Sequence, residues 1–393
     1  MKVCIAGKNN IAVDILIYAL NYFPPDQICV TLNRGDSFKN TWQKSLGFFA
    51  KKYNISILSL EEVMQIPDII FLSLEFDRIV DPEKFLTNKL FNIHFSYLPE
   101  YKGMYTSLFP ILHGKEYSGV TLHRIDSGID TGEIIDQVKF NIEGLTSFKL
   151  YQRYLNEGVK LVKNNFENIL NDKCKSFKQS WNKSTYFSKS SFNFQNHEIN
   201  LYQTGFQISN FVRALDFRPY QMPTFRGQKI NDVEFVDYSN KCKVGTILED
   251  NNSYYLVSTI DCILKLNKDH YENLINAIIE NNTEKVRFYC PLLRDINEKD
   301  KNGWSPIIRA CYVGNIEIVK ILKNHGANLY DTNLNGTTTL MYATAAFERN
   351  GNDELISFLL REKVNPNSKD IHGKDVKSYI NNNVLQKLFS KYD

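Results

Sequence analysis

Along the first 180 residues, short apolar runs alternate with segments whose apolar side chains recur every three or four positions. Residues 1–7, 27–32, 55–58, 68–74 and 90–95 read as strands, and 9–20, 41–53 and 81–90 as helices, with Glu61 and Glu62 opening a further short one. The run DIIFLSL at 68–74 is apolar almost throughout, the pattern of a strand covered on both faces. This alternation predicts a mostly parallel, doubly wound α/β sheet, Rossmann-like in layout, which takes ligands at the carboxyl ends of its strands. Thr106 or Ser107 can cap a helix reaching about 113. Residues 119–125 alternate as a strand, and extended structure resumes at 133–138 after a turn-rich stretch. A long amphipathic helix over 149–170 turns Leu150, Tyr154, Val159, Leu161 and Phe166 inward.

Beyond it the pattern changes. Residues 176–196 form a polar, aromatic connector carrying Trp181; 208–215 read as a helix, and 229–236, 244–248, 254–257 and 262–266 as short strands of a small β module. The remainder repeats. Ala277, Ala310 and Ala343 stand 33 apart, as do Gly303 and Gly336, and Val286 and Val319. Gly314 to Gly351 is four longer, which places an insertion near 347–350. A 33-residue period of turn plus two helices is the ankyrin signature, here about three repeats and a polar terminal cap. The expected domains are therefore 1–180, 181–266 and an all-α 267–393.

Composition narrows the function. A formal charge of +3 on 393 residues gives no strong field for nucleic acid or membrane. Residues 200–265 carry seven Lys/Arg against seven Asp/Glu. Seven scattered cysteines lack CxxC spacing, so neither a zinc site nor a disulfide framework is expected. Without a signal-like start or a membrane-length run, a soluble cytoplasmic protein is expected. After the first strand the chain reads GKNN, one glycine where a dinucleotide fingerprint needs three.

The stretch FNIHFSYLPEYKG at 91–103 carries candidate chemistry. Period-two alternation puts Asn92 and His94 on one face, about 7 Å apart. A lone strand histidine is ordinarily structural. Here, however, the strand ends at the ligand edge, and Asp130 lies in a glycine-flanked DSGIDTG turn from which a carboxylate can be aimed at an imidazole.

These segments, with GVTLHRIDSGIDTGEII at 119–135, resemble the two signatures of the 10-formyltetrahydrofolate-dependent formyltransferases: an Asn-x-His strand, an LPxY(R/K)G loop and an Asp in a (G/S)xDTG turn. The resemblance spans about 1–180 and, more weakly, ISNFVRALDF at 208–217. It implies formyl transfer from 10-formyltetrahydrofolate to an amine, with no metal required. His94 is the expected base, Asp130 its partner and Asn92 the donor to the oxyanion. Glu75, Phe76, Asp77, Ile79, Asp126 and Gly128 are expected around the pterin, and Lys102, Met104, Tyr105 and Tyr220 toward the acceptor.

The short loops, the SLEFDRIV segment at 73–80 and the ankyrin tail are similar to the sugar N-formyltransferases of bacterial O-antigen synthesis. The implied acceptor is a dTDP-linked 3-amino-3,6-dideoxyhexose in the D-gluco configuration; 4-amino and galacto sugars stay open, as does a homodimer. The charge balance of 200–265 argues against a tRNA acceptor. Two rivals remain: a hydrolase releasing formate, and an ankyrin interaction scaffold carrying an inactive enzyme. Trp304 stands where ankyrin repeats usually carry a small or polar residue. It either packs on a neighbouring domain or stacks on a base, forming an auxiliary nucleotide-sugar site.

Overall fold

The apolar runs of the N-terminal half form β1 (Val3–Gly7), β2 (Ile28–Leu32), β3 (Ser56–Ile57), β4 (Ile70–Leu74) and β5 (Leu90–His94). They pair in parallel in the order β3-β2-β1-β4-β5, and β7 (Tyr117–Arg124) and β8 (Ile134–Asn141) extend the sheet antiparallel beyond β5. Every residue of β1 and β4 is buried, as their unbroken apolar sequence requires. The computed structural model describes residues 2–239, 242–380 and 383–390. The chain divides into two compact units, Met1–Lys39 with Gln43–Asn267, and Asn40–Trp42 with Lys268–Asp393.

In the first unit, α1 (Asn9–Ala19) and α5 (Ser147–Leu170) pack on each other and on the sheet. Thr146 caps α5 by accepting from the Lys149 amide, so the helix starts two residues earlier than its apolar spacing suggests. Four of its five expected core residues are buried; Val159 is half-buried.

Three local expectations give way. The helix expected over 41–53 contracts to α2 (Leu46–Lys52), because Ser45 accepts from the Phe48 amide and sets the start, whereas Glu61 and Glu62 do open a short helix, α3 (Leu60–Met64). The helix expected over 81–90 is one 3₁₀ turn, Pro82–Lys84. Phe85 leaves it in an extended conformation, and its ring packs 5.1 Å from Phe71; burial of one aromatic outweighs the local preference. Neither Thr106 nor Ser107 caps the short α4 (Phe109–Leu112), whose N-cap is Leu108.

The connector is tied down. Its β9 (Tyr186–Phe187) pairs in parallel with β6 (Lys102–Gly103), and Phe187 stacks on Phe109 at 3.9 Å. The small module packs α6 (Gly205–Leu215) against a five-stranded sheet, order β10-β11-β14-β13-β12, of β10 (Thr224–Phe225), β11 (Gln228–Asp237), β12 (Ile247–Asp250), β13 (Tyr254–Ser258) and β14 (Ile263–Lys268).

The second unit stacks helix pairs: α7 (Tyr271–Ile279) with α8 (Thr283–Tyr289), α9 (Pro306–Val313) with α10 (Ile316–Asn324), and α11 (Thr339–Asn350) with α12 (Glu354–Arg361), followed by α13 (Asn383–Phe389). The four-residue insertion is one extra helical turn: α11 has 12 residues where α9 has 8. Both end at a left-handed glycine, Gly314 and Gly351. Among the described residues no helix is long and apolar enough to cross a membrane.

Candidate active site

Because the strands run parallel, their carboxyl ends open together into a cavity of about 630 Å³ within the first unit. Asn92, His94 and Asp130 all line it, although Asp130 is 38 residues away in sequence. The antiparallel register of β5 and β7 sets Asn92 opposite His123, and the chain then turns through 126–132 to bring Asp130 back over β5.

Asp130 is the hub. Its Oδ2 lies 3.3 Å from His94 Nδ1 and accepts from the Gly103 amide at 2.9 Å. Its Oδ1 accepts from Asn92 Nδ2 at 3.3 Å and lies 3.6 Å from His123 Nε2. Burial pushes the carboxyl up, but His94, His123 and the Gly103 amide together outweigh it and hold Asp130 well below the ordinary carboxylate range. The Gln179 amide donates to the carbonyls of Asp130 and Gly132, bracing the turn. Gly132 has no room for a side chain, since a Cβ would stand 1.8 Å from the Arg124 carbonyl oxygen.

The ring partners fix the tautomers. His94 Nε2 lies 2.7 Å from the Tyr101 carbonyl and must donate to it, so the lone pair of the neutral ring is on Nδ1, facing Asp130. His123 Nδ1 donates to the Arg124 carbonyl at 2.7 Å, which leaves Nε2 to accept from Asn92 at 3.0 Å. Both hydrogens of the Asn92 amide therefore already have protein acceptors. An oxyanion can recruit this donor by displacing the longer contact, that to Asp130.

Of the other expected residues, Glu75, Phe76, Asp77, Ile79, Asp126, Gly128 and Met104 line the cavity. Asp126 Oδ1 also accepts from the Gly128 amide and from Thr131, so part of its role is to hold the turn. Lys102, Tyr105 and Tyr220 lie outside the lining. Lys102 is buried with its ammonium 5.9 Å from the Trp181 ring centre, and burial lowers its pKa against Asp130 and Asp126. The Tyr105 hydroxyl donates to the Lys189 carbonyl, and Tyr220 stacks on Phe217 at 5.3 Å. Trp304 packs within its own unit, against Tyr312 and Tyr342 and under the Arg309 guanidinium.

His123, Gln179, Asn9 and Tyr151 are site residues that sequence reasoning did not single out. His123 was within reach: alternation in GVTLHRI places it on the Thr121 face, and only the register opposite Asn92 was missing. Asn9 and Tyr151 carry no such pattern. Both reach Glu75, from α1 and α5, through contacts that only the packed fold creates.

A formyl transferase family model matches residues 67–164, and an ankyrin-repeat model matches three copies over 264–370. The chain is similar to an N-formyltransferase from Helicobacter canadensis, solved with folinic acid and dTDP-3-aminofucose: 45% identity, 68% of this chain and 100% of that one, TM-score 0.64. It is similar also to WlaRD, a sugar 3N-formyl transferase solved in the presence of dTDP and 5-N-formyl-THF: 45% identity, 68% of this chain and 97% of that one, TM-score 0.63. The methionyl-tRNA formyltransferase of Caldicellulosiruptor saccharolyticus is 29% identical over 235 residues, 56% of this chain and 74% of its own length.

Proposed function

The chain belongs to the sugar N-formyltransferases, and from that premise we propose that it moves a formyl group from 10-formyltetrahydrofolate to the 3-amine of a dTDP-linked 3-amino-3,6-dideoxyhexose. The observation that carries this reading is the convergence of Asn92, His94 and Asp130 at the floor of the cavity. The 3-amino position is supported by the two relatives at 45% identity, one solved with dTDP-3-aminofucose and the other a sugar 3N-formyl transferase. The configuration proposed is D-gluco, with the galacto sugar as the alternative. The product would serve bacterial cell-surface O-antigen synthesis in the cytoplasm.

The cavity suits the folate donor. Phe76, Ile79, Val80, Ile125 and Ile129 give it apolar walls beside the polar groups of Asp77 and Asp126, a combination that fits a flat heterocycle with a hydrogen-bonding edge. The amine attacks the formyl carbon, and the carbonyl oxygen takes negative charge. Asn92 donates to that oxygen in place of its contact with Asp130. His94 accepts the amine's proton, and the resulting ring has an acceptor at each nitrogen, the Tyr101 carbonyl and Asp130. His94 then returns that proton to N10 of the folate as the bond from N10 to the formyl carbon breaks, and collapse releases tetrahydrofolate and the formamido sugar.

The test is mass spectrometry of a panel of dTDP-amino sugars after incubation with protein and 10-formyltetrahydrofolate. A gain of one formyl group on the 3-amino gluco sugar is expected. Formate release without an acceptor would favour a hydrolase, and no reaction of either kind would favour a scaffold. The auxiliary site is proposed on Trp304, where three aromatic rings and the Arg309 and Arg349 guanidiniums gather on α9, α11 and the turn before α9. Calorimetry of the full chain with dTDP should show a second binding event that Trp304→Ala removes; an unchanged isotherm would sink it.

A further inference from the structure

The cavity contains a second enclosed carboxylate that the mechanism does not use. Glu75 follows β4, and the pairing Leu74↔Ile93 places it at the level of His94, one strand away. Its backbone is held at φ 58°, a left-handed conformation uncommon for a residue with a side chain. Two donors fix its Oε2: Asn9 Nδ2 at 2.9 Å and the Tyr151 hydroxyl at 2.8 Å. Asn33 Nδ2 holds its backbone carbonyl at 2.9 Å.

Oε1 is different. Among the described residues both hydrogen bonds to the carboxylate go to Oε2, which leaves Oε1 toward the cavity that Glu75 lines. Its anchors come from α1, which starts just after β1, and from α5, whereas the Asp130 cluster stands on β5 and β7, beyond β4 in the sheet. Glu75 and His94 thus face the cavity from neighbouring strands. A primary amine arrives at neutral pH largely as an ammonium, with three donors and a positive charge. Asp130 is already engaged by four groups, but Glu75 has an oxygen to spare.

We propose that Glu75 Oε1 is the docking point for the acceptor's ammonium group, and that it selects an amine over a hydroxyl at the reacting carbon. This inference rests on the reading of the protein as a sugar N-formyltransferase, and it assigns Glu75 to the acceptor rather than to the pterin. Burial pushes the Glu75 carboxyl up, partly offset by Lys8, Tyr151 and Asn9, and a cation docked at Oε1 favours the ionised form. Tyr220 is the further titratable group on that side. The geometry makes Glu75 a specificity residue: the docked ammonium gives up one proton to solvent before it attacks, and His94 takes the second as the bond to the formyl carbon forms.

The test measures binding by calorimetry of three probes to full-length wild type and Glu75→Gln: the dTDP-3-amino sugar, its 3-hydroxy counterpart and folinic acid. Wild type should prefer amine to hydroxyl by about tenfold or more, the scale of a hydrogen bond between charged groups. Glu75→Gln should abolish that preference while leaving the hydroxyl sugar and folinic acid within about twofold, the smaller end of such effects. Tyr151→Phe, which keeps the carboxylate but removes one anchor, should reduce the preference without abolishing it. A preference retained in Glu75→Gln overturns the proposal, as does a loss confined to folinic acid. Wild type that formylates no amino sugar overturns the underlying reading instead.

Discussion

Two carboxylates face one cavity, and their surroundings divide them. Asp130 is saturated: an amide, a side-chain amide and two imidazoles surround it, and they hold it ionised. Glu75 is satisfied at one oxygen by neutral donors, and burial works against its charge. The first arrangement fixes geometry, because each oxygen already accepts a hydrogen bond and faces an imidazole. The second leaves a site for a cation. Similar carboxyl groups acquire different roles from how completely the fold satisfies them.

The largest way to break this contrast is Asp130→Asn. It removes the charge that opposes His94, so kcat for formyl transfer should fall roughly 10²–10⁴-fold, the range for a disabled acid–base pair. Near wild-type turnover would refute the assignment. Asn92→Ala should cost about 2.7–4 kcal/mol in kcat with KM little changed, as for loss of one oxyanion donor. A KM effect alone would make Asn92 a binding residue.

Stability sharpens the comparison because the two signs differ. The folded pKa of Asp130 is depressed, so its contribution is present above the unfolded carboxylate value of about 3.9 and is lost as pH falls through the lower folded value. That of Glu75 is raised. Its contribution is present below the unfolded value of about 4.3 and is lost as pH rises through the folded one. Urea unfolding at pH 7 should therefore show Asp130→Asn less stable by about 1–3 kcal/mol, from partners left unsatisfied. Glu75→Gln should be no less stable than wild type. Equal losses in both would remove the contrast. Gly103→Ala should give a smaller version of the Asp130 defect: at φ 83°, a Cβ would stand 2.3 Å from the Phe187 carbonyl oxygen, displacing the amide that holds Asp130.

Much of the fold is legible along the chain, because fully buried parallel strands need unbroken apolar runs and stacked repeats need a period. The 81–90 segment and the caps near 106 were not legible: there a single ring, Phe85 against Phe71, or a turn conformation outweighs local preference. The pairing of Asn92 with His94 follows from alternation, and Asp130 from its turn. The supporting residues do not. Asn9 and Tyr151 lie 142 positions apart, yet their side chains are 2.7 Å apart beside Glu75.

The sequence by itself determined the alternating α/β core, the ankyrin period and the three chemical types of the proposed reaction centre, since periodicity and local motifs are properties of neighbouring residues. Only the tertiary structure decided which carboxylate is saturated and which keeps an oxygen open to the cavity. That difference is made by strand register and by side chains that become neighbours through packing, and no local pattern encodes either.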